Sequence, residues 1–384
     1  MKPTKYILFF FCLLFFLGCK TDKNQNGHIG KSNEVTLIDY AKGFSIEKFG
    51  ENLTVIKITS PWPDAEVAFK YALVHKDKMA SMTLNKDEYD AIVAVPVSRL
   101  VVTSTTHIPA LEALGELNKL VGFPDTDYIS SKSVRNRIDN GLIKELGNNE
   151  SINTEMTIEL NPDVVVGFGI DNRNRAYETL QRSNIPVVYN GDWTEKTPLG
   201  KAEWIKFFAP FFQKEAAADS IFNKTKKAYE QAKELAANAQ KRPTVLSGAL
   251  YKDVWYLPGG DSWAAQFISD ANAQYLWADT QETGSLSLGL ESVLTKGQNA
   301  DFWISPSQFT KYGEMKKANE HYLHFTAFKN RNVYTFSKTK GETGGLLYYE
   351  LAPQRPDLVL KDLIYIFHPE LLPEHRLFFF KPLD

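Results

Sequence analysis

Several absences bound the chain before any motif is read. It has two cysteines. Cys12 lies in an apolar leader, so a chain cut before Cys19 keeps no pair to oxidise, and disulfide stapling is excluded. Long hydrophobic runs are missing too. The longest, Tyr6 to Leu17, would reach about 18 Å as a helix, short of a bilayer core of about 30 Å. Charge of one sign is missing: 44 basic residues against 46 acidic leave a net −2, which gives no reason to expect a nucleic-acid partner. Catalytic signatures are missing as well. "GFGIDN" has Asn172 where a dinucleotide loop needs its third glycine, and no P-loop, G-x-S-x-G or H-E-x-x-H occurs. His321 and His324 of "HYLH" could share a helix face, but no third metal ligand stands beside them. No catalytic residue, resident metal or cofactor is therefore expected. A cleft enzyme of the metal-chelatase kind, the alternative of another class, would need a buried acid or base that the sequence does not identify.

What is present begins with an export signal. "MKPTKYILFFFCLLFFLGCK" has Lys2 and Lys5, an apolar run and then Gly18-Cys19, the layout of a secretory leader. It resembles a bacterial lipoprotein cleavage site, with Phe16 where leucine is usual. Residues 1–18 are read as the signal peptide, and acylation at Cys19 would anchor the mature chain. The other reading is an ordinary leader with Cys19 incidental. Residues 19–33 are polar and aperiodic, a flexible tether.

Residues 34–95 form a strand-rich extension packed on the following lobe. Its short β-type runs "FSIEKF", "LTVIKI" and "EVAFKYALV" are interrupted by Pro61 and Pro63. From 96 to 213 strands and helices alternate: "RLVVTS", "PALEALGELNKLVG", "DVVVGF", "RNRAYETLQRSN" and "IPVVYN". Alternation of this kind predicts parallel strands flanked by helices. Residues 214–242, rich in Ala, Lys, Glu and Gln without Gly or Pro, predict one helix of about 40 Å with a thin apolar stripe of Ile221, Tyr229 and Leu235. Alternation then resumes over 243–384. The fold class is α/β: two Rossmann-like lobes joined by a single long helix, with the N-terminal strand-rich extension.

Two features of the lobes point outward. Glu155 opens a helical segment before Asp163 of "DVVVG", and Glu291 opens another before Asp301 of "DFWIS". Equivalent positions in two similar lobes would put both carboxylates on one side of the molecule. Each would also stabilise its helix N-terminus by about 0.3–1 kcal/mol, which is explanation enough by itself. In such a protein a ligand lies outside the carboxyl ends of the strands, between the lobes. The loops there offer Thr105, Thr106 and His107; Phe168 and Arg173; Trp193; Tyr251, Trp255, Tyr256 and Trp263; and Lys340 with Glu342. Rings and a few cations suit a large metal complex.

Residues from about 96 to 373 resemble the periplasmic binding proteins for iron chelates and vitamin B12 that serve ABC importers. The likeness rests on "RLVVTSTTHIPALEALGELNKLVGF", "NTEMTIELNPDVVVGFG", "GLESVL" and "RPDLVLKDLIYIFHPELL" in that order. It implies an exported, lipid-anchored monomer on the periplasmic side of a bacterial membrane. The cargo implied is a small-molecule metal chelate: a ferric siderophore, with haem or cobalamin as the alternative. Its partners would be an ABC permease and the permease's ATPase. Iron or cobalt would arrive as chelated cargo. The resemblance further implies that Glu155 and Glu291 dock into arginine pockets on the permease.

Overall fold

The computed structural model describes residues 34–171 and 173–384. The leader, Cys19, the tether and Asn172 lie outside the described residues. Among the described residues no helix is long and apolar enough to cross a membrane.

Residues 34–95 make a five-stranded sheet. Phe44–Phe49, Leu53–Ile58 and Phe69–His75 run antiparallel, Glu34–Val35 adds an edge, and Ala91–Val95 joins Phe69–His75 in parallel. Both faces are covered. Phe44, Ile46, Ile58 and Leu73 pack into the same core as Trp204, Phe207, Phe211 and Phe222. Leu53, Val55, Val74 and Tyr89 form a second layer beneath Met82 and Leu84. Double coverage puts buried residues on both faces of Leu53–Ile58 and Phe69–His75, whereas Phe44–Phe49 alternates with Ser45 and Glu47.

The attachment of this sheet rests on buried carboxylates. Glu203, with no exposed surface, accepts the main-chain N–H groups of Asp39, Tyr40 and Ala41 at 2.7–3.0 Å and pairs with Lys206 at 3.0 Å. Glu195 accepts those of Lys42 and Gly43 and the indole N–H of Trp204. Farther along, the Tyr189 N–H donates to the Tyr71 hydroxyl at 3.0 Å and Thr194 donates to the Ser60 carbonyl. Gly191 makes that last approach feasible, since a Cβ there would fall 2.2 Å from the Ser60 oxygen.

The first lobe is a parallel sheet in the order Val187–Tyr189, Val164–Gly167, Leu100–Val102, Leu120–Phe123 and Lys144–Glu145. The second is ordered Gln274–Tyr275, Thr244–Ser247, Phe302–Ile304, Val333–Thr335 and Lys381–Pro382, parallel except for its last strand. A three-stranded antiparallel sheet of Ala249–Tyr251, Val254–Pro258 and Ser285–Leu288 accompanies it. The lobes repeat one internal device. Asp163 Oδ2 accepts the N–H groups of Ser98 and Arg99 ahead of the first lobe's opening strand, and Asp301 Oδ2 accepts the Thr244 N–H that opens the second.

The connector is one unbroken helix, Glu215–Ala236, of 22 residues, or about 33 Å. It stops short of the predicted residue 242. The Asn238 side chain donates to the Glu234 carbonyl, and the residue ahead of Pro243 is pushed out of the helical region. Its buried stripe is Ala218, Phe222, Thr225, Tyr229, Ala232 and Ala236; Ile221 and Leu235 are only half-buried. Small residues let it lie against the Pro356–Phe367 helix. Tyr229 and Lys233 hold Asp270 of the second lobe at 2.6 and 2.8 Å.

Removing one partner of a buried pair leaves charges and amides unsatisfied, at about 3–5 kcal/mol. Denaturant unfolding of Glu203→Ala is expected to show a loss on that scale. A loss below about 1 kcal/mol would mean that the extension does not depend on this carboxylate.

Candidate ligand cleft and docking face

The carboxyl ends of both parallel sheets face a divided cleft. One cavity, of about 520 Å³, is walled by the second lobe, with Tyr251, Tyr256, Trp263 and Phe336 among its lining. The other, of about 500 Å³, lies between lobes, with Thr103, Thr105, Tyr128 and Phe168 facing Lys340 and Tyr349. Gln308, Ser337, Leu346 and Tyr349 line both, so the two are parts of one space. A hydrogen-bonded chain frames the first lobe's side. The Phe168 N–H donates to Thr103 Oγ1 at 3.2 Å, Thr103 and Tyr177 hydroxyls lie 3.0 Å apart, and Tyr177 donates to Asn149 at 2.9 Å. Gly167 leaves room for that phenol, which would stand 2.4 Å from a Cβ.

The predicted cleft residues divide. Thr105, Phe168 and Lys340 line the interlobe cavity, and Tyr251, Tyr256 and Trp263 the other. Trp255 does not reach the cleft. Successive strand residues face opposite ways, so Tyr256 faces the cavity while Trp255 is fully buried, stacked on Trp303 at 5.3 Å with its N–H on the Ser247 carbonyl. Thr106 stands at the N-cap position of the His107–Leu114 helix, and its hydroxyl turns to that of Ser104 at 2.9 Å. His107 is sealed beneath the loop against Phe208. Burial pushes its imidazole down to about 4, so at neutral pH it carries no charge. Arg173 is exposed and Trp193 is partly exposed, and neither lines either cavity. His321 and His324 lie in the short turn Glu320–His324. Among the described residues no group of three or more His, Cys, Asp or Glu side chains is placed to hold a metal ion.

Glu155 and Glu291 are exposed in the first turns of Thr154–Leu160 and Leu290–Gly297. Each helix precedes the strand that pairs with its lobe's opening strand. A helix in such a crossover runs back along the sheet, so its first turn lies at the strands' carboxyl edge. Both carboxylates thus hold the same place in the repeated unit, one per lobe. A family model described as periplasmic binding protein matches residues 100–339. The chain belongs to the periplasmic binding protein family.

Its relatives are distant. An uncharacterized lipoprotein of Methanocaldococcus jannaschii is 25% identical over 94% of this chain and 92% of its own. The possible iron-binding, periplasmic solute-binding protein of Staphylococcus epidermidis superimposes with a TM-score of 0.57 at 19% identity, covering 71% of this chain and 99% of that one. The periplasmic heme-binding protein HutB of Vibrio cholerae gives 0.53 at 19%, covering 68% and 99%. The family match begins after the extension. The archaeal lipoprotein leaves only 6% of this chain unmatched, less than the extension's length, so that match reaches into the extension's sequence.

Sequence reading did not find what joins the lobes of this periplasmic binding protein across the cleft. Glu350, on the short helix Leu347–Leu351, is 2% exposed and accepts the Ser130 and Ser131 N–H groups at 2.5 and 2.9 Å. Ser131 caps the Lys132–Asp139 helix. Gly345 and Gly341 pack against the same segment so closely that a Cβ would fall 2.1 Å from the Tyr128 carbonyl oxygen or 2.6 Å from Ser130 Cα. The sequence signal was the glycine pair before "LLYYE". Burial pushes the Glu350 carboxyl up to about 7; the two amides oppose the rise and Glu112 adds to it. Burial thus outweighs the two amides, and with its pKa raised from the ordinary 4.5 the group is held in the folded protein at least cost when protonated. Its contribution is complete below that ordinary value and is lost as pH rises through about 7. Relative to Glu350→Gln, the wild-type protein is expected to lose on the order of 3 kcal/mol of unfolding free energy across this window. A pH-independent difference would remove Glu350 as the titrating contact.

Proposed function

We propose that this protein is the substrate-binding lipoprotein of an ABC importer, which captures a ferric siderophore between its lobes and delivers it to the permease. The observation that carries the reading is the ring-walled cavity shared between two lobes, flanked by one free surface glutamate on each. The cavity is of ligand size, and Tyr251, Tyr256, Trp263, Phe168 and Tyr349 supply contact area for a bulky complex. The metal is cargo held by its own chelator. The protein's work is to bind and orient it. Among the described residues neither Glu155 nor Glu291 forms an ion pair, so both are free to meet guanidinium groups, which pair with carboxylates directionally. Two separated pairs fix orientation and speed encounter more than they add affinity. The lipid at Cys19 keeps the protein at the membrane, and a monomer suffices.

Quenching of tryptophan fluorescence on titration with ferric siderophores, haem and cobalamin tests the cargo. Saturable quenching by a ferric siderophore is expected, and silence from all three would end the chelate reading. Reversing charge with Glu155→Lys and Glu291→Lys is expected to abolish uptake in cells while leaving that titration unchanged; undiminished uptake would remove the docking role. Cys19→Ser should move the protein from the membrane fraction to the soluble one, and continued membrane retention would rule out the anchor.

A further inference from the structure

Charge is nearly absent from the cleft. None of the described residues lining the second lobe's cavity is an aspartate, glutamate, lysine, arginine or histidine. The interlobe cavity adds one residue of each sign, Lys340 and Asp125. The other polar groups are hydroxyls and amides, such as Ser247, Ser305, Ser307, Gln308, Thr105 and Asn149.

The surroundings do not make up for the missing cations. Glu145 stands behind Asp125, accepting its N–H at 3.0 Å and that of Thr126 at 2.8 Å. Burial and the Glu145 and Asp127 charges hold the Asp125 carboxyl above its usual range, a sign that this rim resists further negative charge. Arg135 lies near in sequence, but its guanidinium donates to the Thr126 carbonyl and faces Asp139. Lys201 sits over the Trp263 ring at 5.2 Å, with its protons on the Asp192 and Trp193 carbonyls. Among the described residues lining the cleft, Lys340 is the one cation left to meet an anion.

A multiply charged anion would therefore lose its water without gaining matching cations, and the loss grows steeply as charge is buried. A neutral complex of similar size pays little and keeps the ring contacts. We propose that the cleft selects metal chelates of zero or near-zero net charge. This deepens the reading of the protein as a chelate receptor and rests on it. Iron(III) held by three monoanionic hydroxamate arms is neutral, whereas three dianionic catecholate arms leave a trianion. Haem brings two propionates, while cyanocobalamin is neutral.

The test is a fluorescence titration of the intact mature protein with a ferric trihydroxamate, a ferric tricatecholate, haem and cyanocobalamin at one ionic strength. A neutral chelate is expected to bind at least about 100-fold more tightly than the tricatecholate. Gln308→Arg, at an exposed position lining both cavities, is expected to raise tricatecholate affinity about tenfold or more. Tricatecholate or haem binding as tightly as the best neutral chelate would overturn the charge inference while leaving the chelate receptor standing. Tight cyanocobalamin binding without any trihydroxamate binding would uphold it and displace iron as the metal. No binding of any of the four would overturn both.

Discussion

A buried carboxylate that gathers main-chain amide protons is the interaction on which this structure depends. Glu203 takes three such protons and Glu195 two, and together they bind residues 39–43 to the first lobe. Asp362, fully buried, takes those of Phe378, Phe379 and Phe380 and the ring N–H of His375, seating the C-terminal strand beside the second sheet. Glu350 gathers two amide protons between the lobes as well, although burial there favours its protonated form. Charge-assisted bonds are short and directional, and once buried they are costly to break. Among the described residues, which include no cysteine, peripheral segments are thus pinned at three places with a device that needs no oxidant.

Much of the architecture was legible because periodicity survives where elements are long. "DVVVGF" and "IPVVYN" announced parallel strands, and the glycine- and proline-free stretch announced the connector. Its end was overrun because composition favours a helix to residue 242, whereas Asn238 and Pro243 act locally to stop it. Its stripe was found only at Tyr229, because Ala218, Ala232 and Ala236 look neutral, yet small side chains are what close packing against Pro356–Phe367 requires.

The cleft was legible only in outline. Placing loops at strand ends brought in Thr105, Phe168, Tyr251, Tyr256, Trp263 and Lys340, since topology alone puts them there. Trp255 was carried along by its neighbour, for lack of a known strand register. His107 looked available because nothing in its local sequence shows that Phe208 closes over it. Tyr128 meets Gln308 and Tyr349 from a segment about 180 residues or more away in sequence, a meeting visible only after folding. The pair Glu155 and Glu291 was legible for the opposite reason: each stands at a fixed place in a repeated local unit.

The continuous connector makes the lobes' relative motion small, since bending a helix strains its ladder of hydrogen bonds. Within that limit the short helix Leu347–Leu351 holds an unusual station. Tyr348 and Tyr349 on it wall the cavity, and Glu350, the next residue, is the bolt thrown across to Ser130 and Ser131. Five residues of one rigid rod are too few to flex between these duties. Whatever displaces the rings must also shift the bolt, so the cleft's contents and the gap between the lobes are geared together without any relay.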